Sequence, residues 1–494
     1  MLLEMALEAA PERVVLGPRD GGMTVAEFSR RAHRIAESFA ARPIAHVGLV
    51  DVNSAAVPLV LFGAGLSGLP FAPINYRLPD DQLGEIVARL APAVIDPGAD
   101  AFSRVPRTAA IDVVSRSELL DAADAGGAGD APTAAAVDPD AIAILLFTSG
   151  TTGPPKAAVL RHRHLVSYVV STVEFMGAGE DEAQLVSVPP YHVAGISTIV
   201  SSLYAGRRIV YLDTFDAGAW VSTAVDEAIT HAMVVPTMLG RILDVIEARG
   251  IALPTFRHLS YGGGRMPLET VERAMRLLPQ VGFVNAYGLT ETSSTVAVLG
   301  PDDHRVAFAS DEGVVRERLR SVGRPLPFVE VEIRGPRGET LAAGERGEVY
   351  VRGEQVAGEY LDRSVLTDDG WFATNDAGYL DDDGFLYLDG RLDDVIVRGG
   401  ENLSPGEIED ALTSHPMVVD AAVVGIPDPE WGETVAAVVV LAGGKHATEL
   451  ELKDWVRTRL RSTKTPQRIM FRDELPYNET GKLLRRVLRD DLAV

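Results

Sequence analysis

Hydrophobic and polar positions change their period several times along the chain, and each change marks a boundary between elements. Near the start, Val25, Phe28, Ile35 and Phe39 recur at helical spacing behind Thr24 and Glu27. That spacing matches a capping box, with Met23 and Phe28 as its hydrophobic staple, and predicts an amphipathic helix. From Val52 to Tyr76 no side chain is charged, a run long enough to cross a bilayer. Pro58, Pro70, Pro73, Gly63, Gly65 and Gly68 interrupt it, which suits a buried helix followed by a buried strand, "LPFAPI". Asp121 to Asp140, rich in Ala, Gly and Asp, reads as a surface connection. It ends at "AIAILLF", whose lack of alternation suits a strand covered on both faces.

Apolar strand-like runs then alternate with helical patterns to about Met266, the signature of α/β layers. Between Val322 and Tyr387 short alternating segments are broken by Gly and Pro and include the hairpin "YLDDDGFLYL", turning at Asp383 and Gly384, so this part reads as a β-rich subdomain. Beyond Arg391 the pattern predicts a helix capped by Ser404, with Pro405 at its first position and Glu407 at its third. Strands "VVDAAVVGI" and "TVAAVVVLA" follow, then a second helix from the Thr448/Glu451 capping box. These elements could enclose a small core of their own, which places a domain boundary near Leu392.

Composition narrows the class. A chain of 494 residues suggests about three structural units, and 46% hydrophobic with 23% charged residues is the balance of a soluble globular protein. With no cysteine, disulfides, thiolate metal sites and a cysteine nucleophile are excluded. A net charge of −24 argues against nucleic acid or anionic membrane as partner, so any positive groups serving anionic substrates must be local. The start "MLLEMALEAAPERVV" has acids and no basic region ahead of its apolar residues, unlike a signal peptide. A cytoplasmic protein without an integral membrane segment is expected.

The chemistry begins with "TSGTTGPPK", Thr148 to Lys156, directly after the apolar strand. Glycines permit close backbone approach, successive N–H groups can form an anion nest, and hydroxyls add donors without bulk. A phosphate cradle and a plain surface turn both fit. The spacing is not that of a Walker loop, because Lys156 follows two prolines and precedes Ala157. Further on, "NAYGLTET" (Asn285 to Thr292) sets an aromatic face beside a glycine and then two hydroxyls around a carboxylate. "WFATNDAGYL" places Asp376 in a hairpin region, "GRLDDVIVRGGENLSPGEIE" lies on the domain boundary, and "LPYNETGKLLRR" puts Lys482 after a glycine.

In that order these stretches resemble the motifs of the adenylate-forming superfamily of acyl- and aryl-CoA synthetases, luciferases and nonribosomal adenylation domains, and looser similarity such as "FAPINYRL" extends over nearly the whole chain. The resemblance implies an α/β fold: an N-terminal AMP-binding domain over residues 1–391, a hinge at 392–393 and a mobile α+β cap over 394–494. It implies ATP, Mg²⁺ and coenzyme A, with a carboxylic acid activated as acyl-AMP and passed to a thiol. By similarity, Thr148, Ser149, Gly150, Thr151, Thr152 and Gly153 wrap the β- and γ-phosphates, with Lys156 at the loop's edge. Tyr287 beside Gly288 lies along adenine opposite Gly264. Thr290 meets the α-phosphate and Glu291 holds Mg²⁺. Asp376 accepts the ribose hydroxyls, Arg391 approaches the ribose or phosphate, and Lys482 bridges substrate carboxylate and α-phosphate. Asp393 aligns with the hinge, and Arg398, Gly399 and Gly400 join a pantetheine channel.

Each residue also has a purely structural reading: Tyr287 as a core aromatic, Glu291 as a helix N-terminal acid, Asp376 as a turn residue, Lys482 as a solvated helix end. Three departures from the family pattern stand out. Ala157, Ala286 and Asn375 occupy sites where glycine is usual. "PPYHVAGIS" lacks the aspartate that meets an α-ammonium, which argues against an amino-acid substrate. His192 is expected near the substrate carboxylate, with Val193, Gly195, Ile196, Val235, Met238, Gly262, Gly263 and Ala286 as walls for an apolar acid, although core packing explains the aliphatic ones too. The basic tail from Lys453 to Arg489 suits CoA phosphates or solvated helix faces. The leading expectation is a CoA ligase, monomeric or homodimeric, for an aryl, medium-chain or bulkier acid. A carrier-protein thiol as acceptor, a luciferase-like oxidase and an inactive nucleotide-binding relative are the alternatives.

Overall fold

Parallel strands covered on both faces require near-continuous apolar runs, and two sheets of that kind organise the N-terminal part. The computed structural model describes residues 1–98, 101–124, 137–148, 155–478 and 483–492. Among the described residues, a nine-stranded sheet has Gly282–Leu289, His258–Gly262, His231–Val234, Ala183–Val186 and Arg208–Tyr211 as consecutive parallel neighbours. The chain passes from Ala183–Val186 to Arg208–Tyr211 on one side, then crosses to His231–Val234 on the other. The crevice outside the carboxyl ends of Ala183–Val186 and His231–Val234 is therefore a topological switch point, where open α/β sheets bind ligands.

The second sheet, eight-stranded among the described residues, carries His46–Val50, Phe71–Pro73, Ala93–Pro97 and Ile111–Val113, and the antiparallel pair Ile142–Thr148 with Lys156–Arg161. One apolar cluster spans both sheets, joining Leu16 and Ile209 to Val47 and Phe71 through helices Val25–Ala40 and Ala56–Leu66. Gly63 lets those helices meet, since a Cβ there would lie 2.5 Å from Ile35 Cγ2. The charge-free stretch is thus a buried helix and strand. No helix among the described residues is long and apolar enough to cross a membrane.

A four-stranded antiparallel sheet follows, Glu330–Arg334, Gly347–Arg352, Phe372–Leu380 and Leu386–Arg391. Its last hairpin turns at Gly384 (φ +78°), as the sequence suggests. From Ile396 onward the chain builds a five-stranded sheet. Val418–Asp428 and Gly432–Leu441 turn Val423 and Val435 into one apolar cluster and Val424 and Val438 into another. Those period-2 strands are covered on both faces, so the small unit has its own core.

Four local expectations need correction. Glu27 donates its backbone N–H to Thr24 Oγ1 at 3.2 Å, but its carboxylate pairs with Arg31 at 3.0 Å instead of closing the capping box. Helix Arg116–Asp124 reaches into the stretch read as a connection, most of which lies outside the described residues. Ser404 precedes helix Pro405–Thr413 without capping it, because its hydroxyl donates to the Asp389 carbonyl at 2.7 Å. The strand Arg468–Arg472, parallel to Gly432–Leu441, went unread inside the basic tail.

Candidate active site

Neighbouring parallel strands deliver their carboxyl ends to one rim, and several of the expected site residues lie on it. His192 follows Ala183–Val186, Val235 follows His231–Val234, Gly262 ends His258–Gly262, and Tyr287 stands late in Gly282–Leu289. A cavity of about 340 Å³ opens there, lined by Gly264, Ala286, Tyr287, Gly288, Asp376 and Arg391. Gly262 and Gly263 complete that wall. Backbone packs against backbone at these glycines: a Cβ on Gly262 would lie 2.3 Å from the Ala286 carbonyl oxygen, and one on Gly288 would lie 1.7 Å from that of Ser294.

The antiparallel register sets Asp376 opposite Arg391. Arg391 Nη1 donates to Asp376 Oδ1 at 3.0 Å and to the Thr374 carbonyl at 3.0 Å, while the Tyr287 hydroxyl donates to Asp376 Oδ2 at 2.6 Å. Burial, reinforced by the Asp376 charge, pushes the Tyr287 phenol well above its ordinary range. Tyr287 therefore remains a neutral donor and its ring is fixed along the cavity. The buried carboxylate keeps lone pairs for further donors such as a diol.

A second chain of contacts runs beside the cavity. Glu291 lies in the short helix Thr290–Thr292 and is buried; its Oε1 accepts from the Tyr360 hydroxyl at 2.5 Å. Lys156 Nζ sits 5.6 Å from the centroid of the Tyr360 ring, within cation–π range. Thr148 pairs with Lys156 across the hairpin ends, its Oγ1 3.4 Å from the Lys156 carbonyl. Lys156 thus reaches toward Glu291 through Tyr360, a residue the sequence reading missed. Ser149, Gly150, Thr151, Thr152 and Gly153 lie outside the described residues, as does Lys482.

No group of three or more His, Asp or Glu side chains among the described residues could hold a metal by itself. One buried carboxylate, Glu291, fits magnesium, which takes most of its oxygens from phosphates and water.

The acid-side residues divide. His192 stands at the start of helix Val193–Ala205, and its buried Nε2 has no hydrogen-bond partner among the described residues. Burial lowers its pKa to about 4, so the ring is neutral at pH 7. Val235 packs beside Gly263, its Cγ1 3.6 Å from where a Cβ would stand. Gly195 clears the Pro189 carbonyl by 3.0 Å on the same test. Val193 is half-buried, whereas Ile196, Val235 and Met238 are packed into core clusters and do not line the cavity.

From the C-terminal side, helix Pro405–Thr413 presents Gly406 and Asp410 to the cavity. Arg265 Nη2 donates to Asp410 Oδ2 at 2.5 Å and Arg320 pairs with the same oxygen. This clasp was not read from sequence. Arg398, Gly399 and Gly400 form a hairpin turn that does not line the cavity: the glycines have φ +58° and +83°, Arg398 Nη1 donates to the Thr463 carbonyl at 2.7 Å, and Gly399 abuts Trp431. Much of the basic tail is already paired, Lys453 with Glu449 at 2.6 Å, Arg489 with Asp394 at 2.9 Å, and Arg485 with Glu409. That pairing weakens the CoA-phosphate reading of the tail.

Residues 3–361 match the AMP-binding enzyme family and residues 407–482 match the AMP-binding enzyme C-terminal domain. Feruloyl-CoA synthase of an Amycolatopsis species is 35% identical over 95% of this chain and 94% of its own. A long-chain-fatty-acid–CoA ligase of Mycobacterium tuberculosis is 31% identical over 96% and 94%. Among solved structures, o-succinylbenzoate CoA synthetase from Bacillus subtilis with its acyl-adenylate intermediate superposes with a TM-score of 0.84, at 28% identity over 99% of this chain and 98% of that one. The same enzyme with ATP and magnesium ion gives 0.83, at 28% identity over 99% of each chain.

Proposed function

The chain belongs to the AMP-binding enzyme family, and from that premise we propose an ATP-dependent acid–thiol ligase acting on a hydrophobic carboxylic acid. It is an acyl- or aryl-CoA synthetase: ATP and the acid give acyl-AMP and pyrophosphate, and coenzyme A then gives the thioester and AMP. A carboxylate oxygen bonds to the α-phosphorus as pyrophosphate leaves; the CoA sulfur, losing its proton, then bonds to the acyl carbon as AMP leaves. The observation that carries this reading is the cavity in which Tyr287, Asp376 and Arg391 are hydrogen-bonded together, at the carboxyl ends of strands His258–Gly262 and Gly282–Leu289.

That geometry supports the roles of Asp376, Tyr287 and Arg391, and the family resemblance supports the rest. Asp376, fixed by two donors, would accept the ribose hydroxyls, and the Tyr287 ring and the Gly262 to Gly264 backbone would sandwich the flat base. Lys156 and the hydroxyls of Thr148 and Thr152 would hold phosphates, and Lys482 would bring a positive charge to the reacting carboxylate. Magnesium held by Glu291 would neutralise charge on the triphosphate. Such preorganised donors stabilise developing charge without reorganising, and holding both reactants in line supplies much of the rest. His192, uncharged and unpartnered, would meet the acid's polar end while Val235 and Gly263 border its apolar body. The feruloyl-CoA synthase and long-chain-fatty-acid–CoA ligase relatives favour an aryl-propenoic or fatty acid. A cytoplasmic setting suits enzymes that draw on ATP and coenzyme A.

Carboxylate-dependent ATP–pyrophosphate exchange, run with hydroxycinnamic, benzoic, medium-chain and long-chain acids, tests the proposal. We expect exchange with at least one apolar acid, and AMP release only once coenzyme A is added. Exchange confined to amino acids, or none across the panel, would overturn it.

A further inference from the structure

Asn375 stands where the family pattern has glycine, and its backbone shows why glycine suits the place: φ is +61°, a left-handed conformation that glycine enters freely and asparagine tolerates. The side chain adds what glycine cannot. Asn375 Nδ2 donates to Asp393 Oδ2 at 2.9 Å. That bond joins strand Phe372–Leu380, one residue before Asp376, to the turn Leu392–Asp394 that leads into the C-terminal sheet.

Both ends of the contact are anchored. The Asn375 backbone N–H donates to Glu348 Oε1 at 3.1 Å on the neighbouring strand. Arg489 of the last helix donates to the Asp393 carbonyl at 3.2 Å and to Asp394 Oδ1 at 2.9 Å. The turn is therefore gripped from the β-rich sheet on one side and from the C-terminal unit on the other.

We propose that Asn375 is a positioning residue whose amide latches the Asp393 carboxylate and biases the C-terminal domain toward the arrangement described above, setting the balance between adenylate and thioester formation. The proposal rests on the two-step ligase reading with a hinge at 392–393. Rotation about the turn breaks the latch, so the half-reaction that uses the latched arrangement is favoured at the expense of the other. A single hydrogen bond to a partly solvated carboxylate shifts such an equilibrium by roughly three- to tenfold.

Two variants isolate the amide. Asn375→Gly keeps the left-handed backbone and deletes the donor; Asn375→Asp keeps the size and sets two carboxylates together. Because the chain has no cysteine, Val314→Cys and Leu450→Cys, at exposed positions in the two domains, accept a pair of spin labels for an inter-domain distance. In the ligand-free full chain, Asn375→Gly should move part of the distance distribution to a second position, and Asn375→Asp should move more. The ratio of ATP–pyrophosphate exchange to thioester formation from supplied acyl-AMP should change about three- to tenfold, one rate falling while the other rises. An unchanged distribution with an unchanged ratio, or equal slowing of both half-reactions, overturns the latch. Should the unsubstituted chain form no acyl-AMP, the ligase reading fails, and the distance measurement still decides whether Asn375 holds the domain.

Discussion

The nucleotide side and the acid side of the site are made of different material. Tyr287, Asp376 and Arg391 satisfy one another at 2.6 and 3.0 Å around a cavity floored by glycine backbone. On the acid side Ile196, Val235 and Met238 belong to packed cores, and His192 Nε2 has no hydrogen-bond partner among the described residues. One side is complete before any ligand arrives; the other leaves a buried nitrogen that a ligand's polar end could satisfy. Nucleotide recognition should accordingly be rigid and indifferent to the acid, and acid recognition should be local and tunable.

The sharpest break of that comparison is Lys482→Ala. Adenylate formation should fall by about two to three decades, while thioester formation from supplied acyl-AMP should persist; equal loss of both would place Lys482 elsewhere. Next, Asp376→Ala removes the acceptor that organises Tyr287 and Arg391. We expect about a hundredfold loss in kcat/KM for ATP, the same with every acid. A loss that depends on the acid would blur the two sides.

His192→Ala should act on the acid alone, raising its KM about tenfold and leaving the KM for ATP within twofold. With its pKa near 4, His192 stays neutral from pH 5 to 8. The acid KM should then show no inflection near pH 6.5, and one that His192→Ala removes would contradict a buried neutral ring.

The smallest effect on activity is expected at a polar group belonging to neither side. Asp96, 3% exposed on strand Ala93–Pro97, has no hydrogen-bond partner for either carboxylate oxygen among the described residues, and burial followed by the charge of Asp51 raises its pKa to about 7. Because the folded state holds this proton more tightly than the unfolded chain does, stability falls as pH rises from about 4 to about 7 and the loss is complete above that. Asp96→Asn should recover about 1–3 kcal/mol at pH 8 and little at pH 4, with turnover unchanged. Denaturant titration at the two pH values checks it, and an equal effect at both would show that Asp96 is ionised throughout.

The same contrast explains what was legible in the sequence. Thr448 and Glu451, Asp383 and Gly384, and Gly68 (φ +72°) between helix Ala56–Leu66 and "LPFAPI" act within a few residues, so their elements could be read directly. Tyr287, Asp376 and Arg391 were legible because fixed residue types cluster in short motifs, and the fold brings those motifs together. Tyr360 was not, since its bond to Glu291 spans 69 residues and "GEY" has no signature of its own. The Arg265–Asp410 clasp spans 145 residues and depends on how two domains meet. Asn375 could be singled out as a departure from glycine, but its bond to Asp393 needed the hairpin register. On the acid side, aliphatic residues serve packing and recognition alike, so the sequence could not show that Ile196, Val235 and Met238 all pack into cores.

The central claim is that one cavity joins an organic acid to the α-phosphorus of ATP. Turnover of an accepted acid labelled with oxygen-18 in its carboxylate, followed by mass spectrometry of the products, tests it most directly. The claim predicts that AMP leaves carrying a labelled oxygen and that pyrophosphate leaves unlabelled. Label in inorganic phosphate beside ADP, or AMP with none, would contradict it.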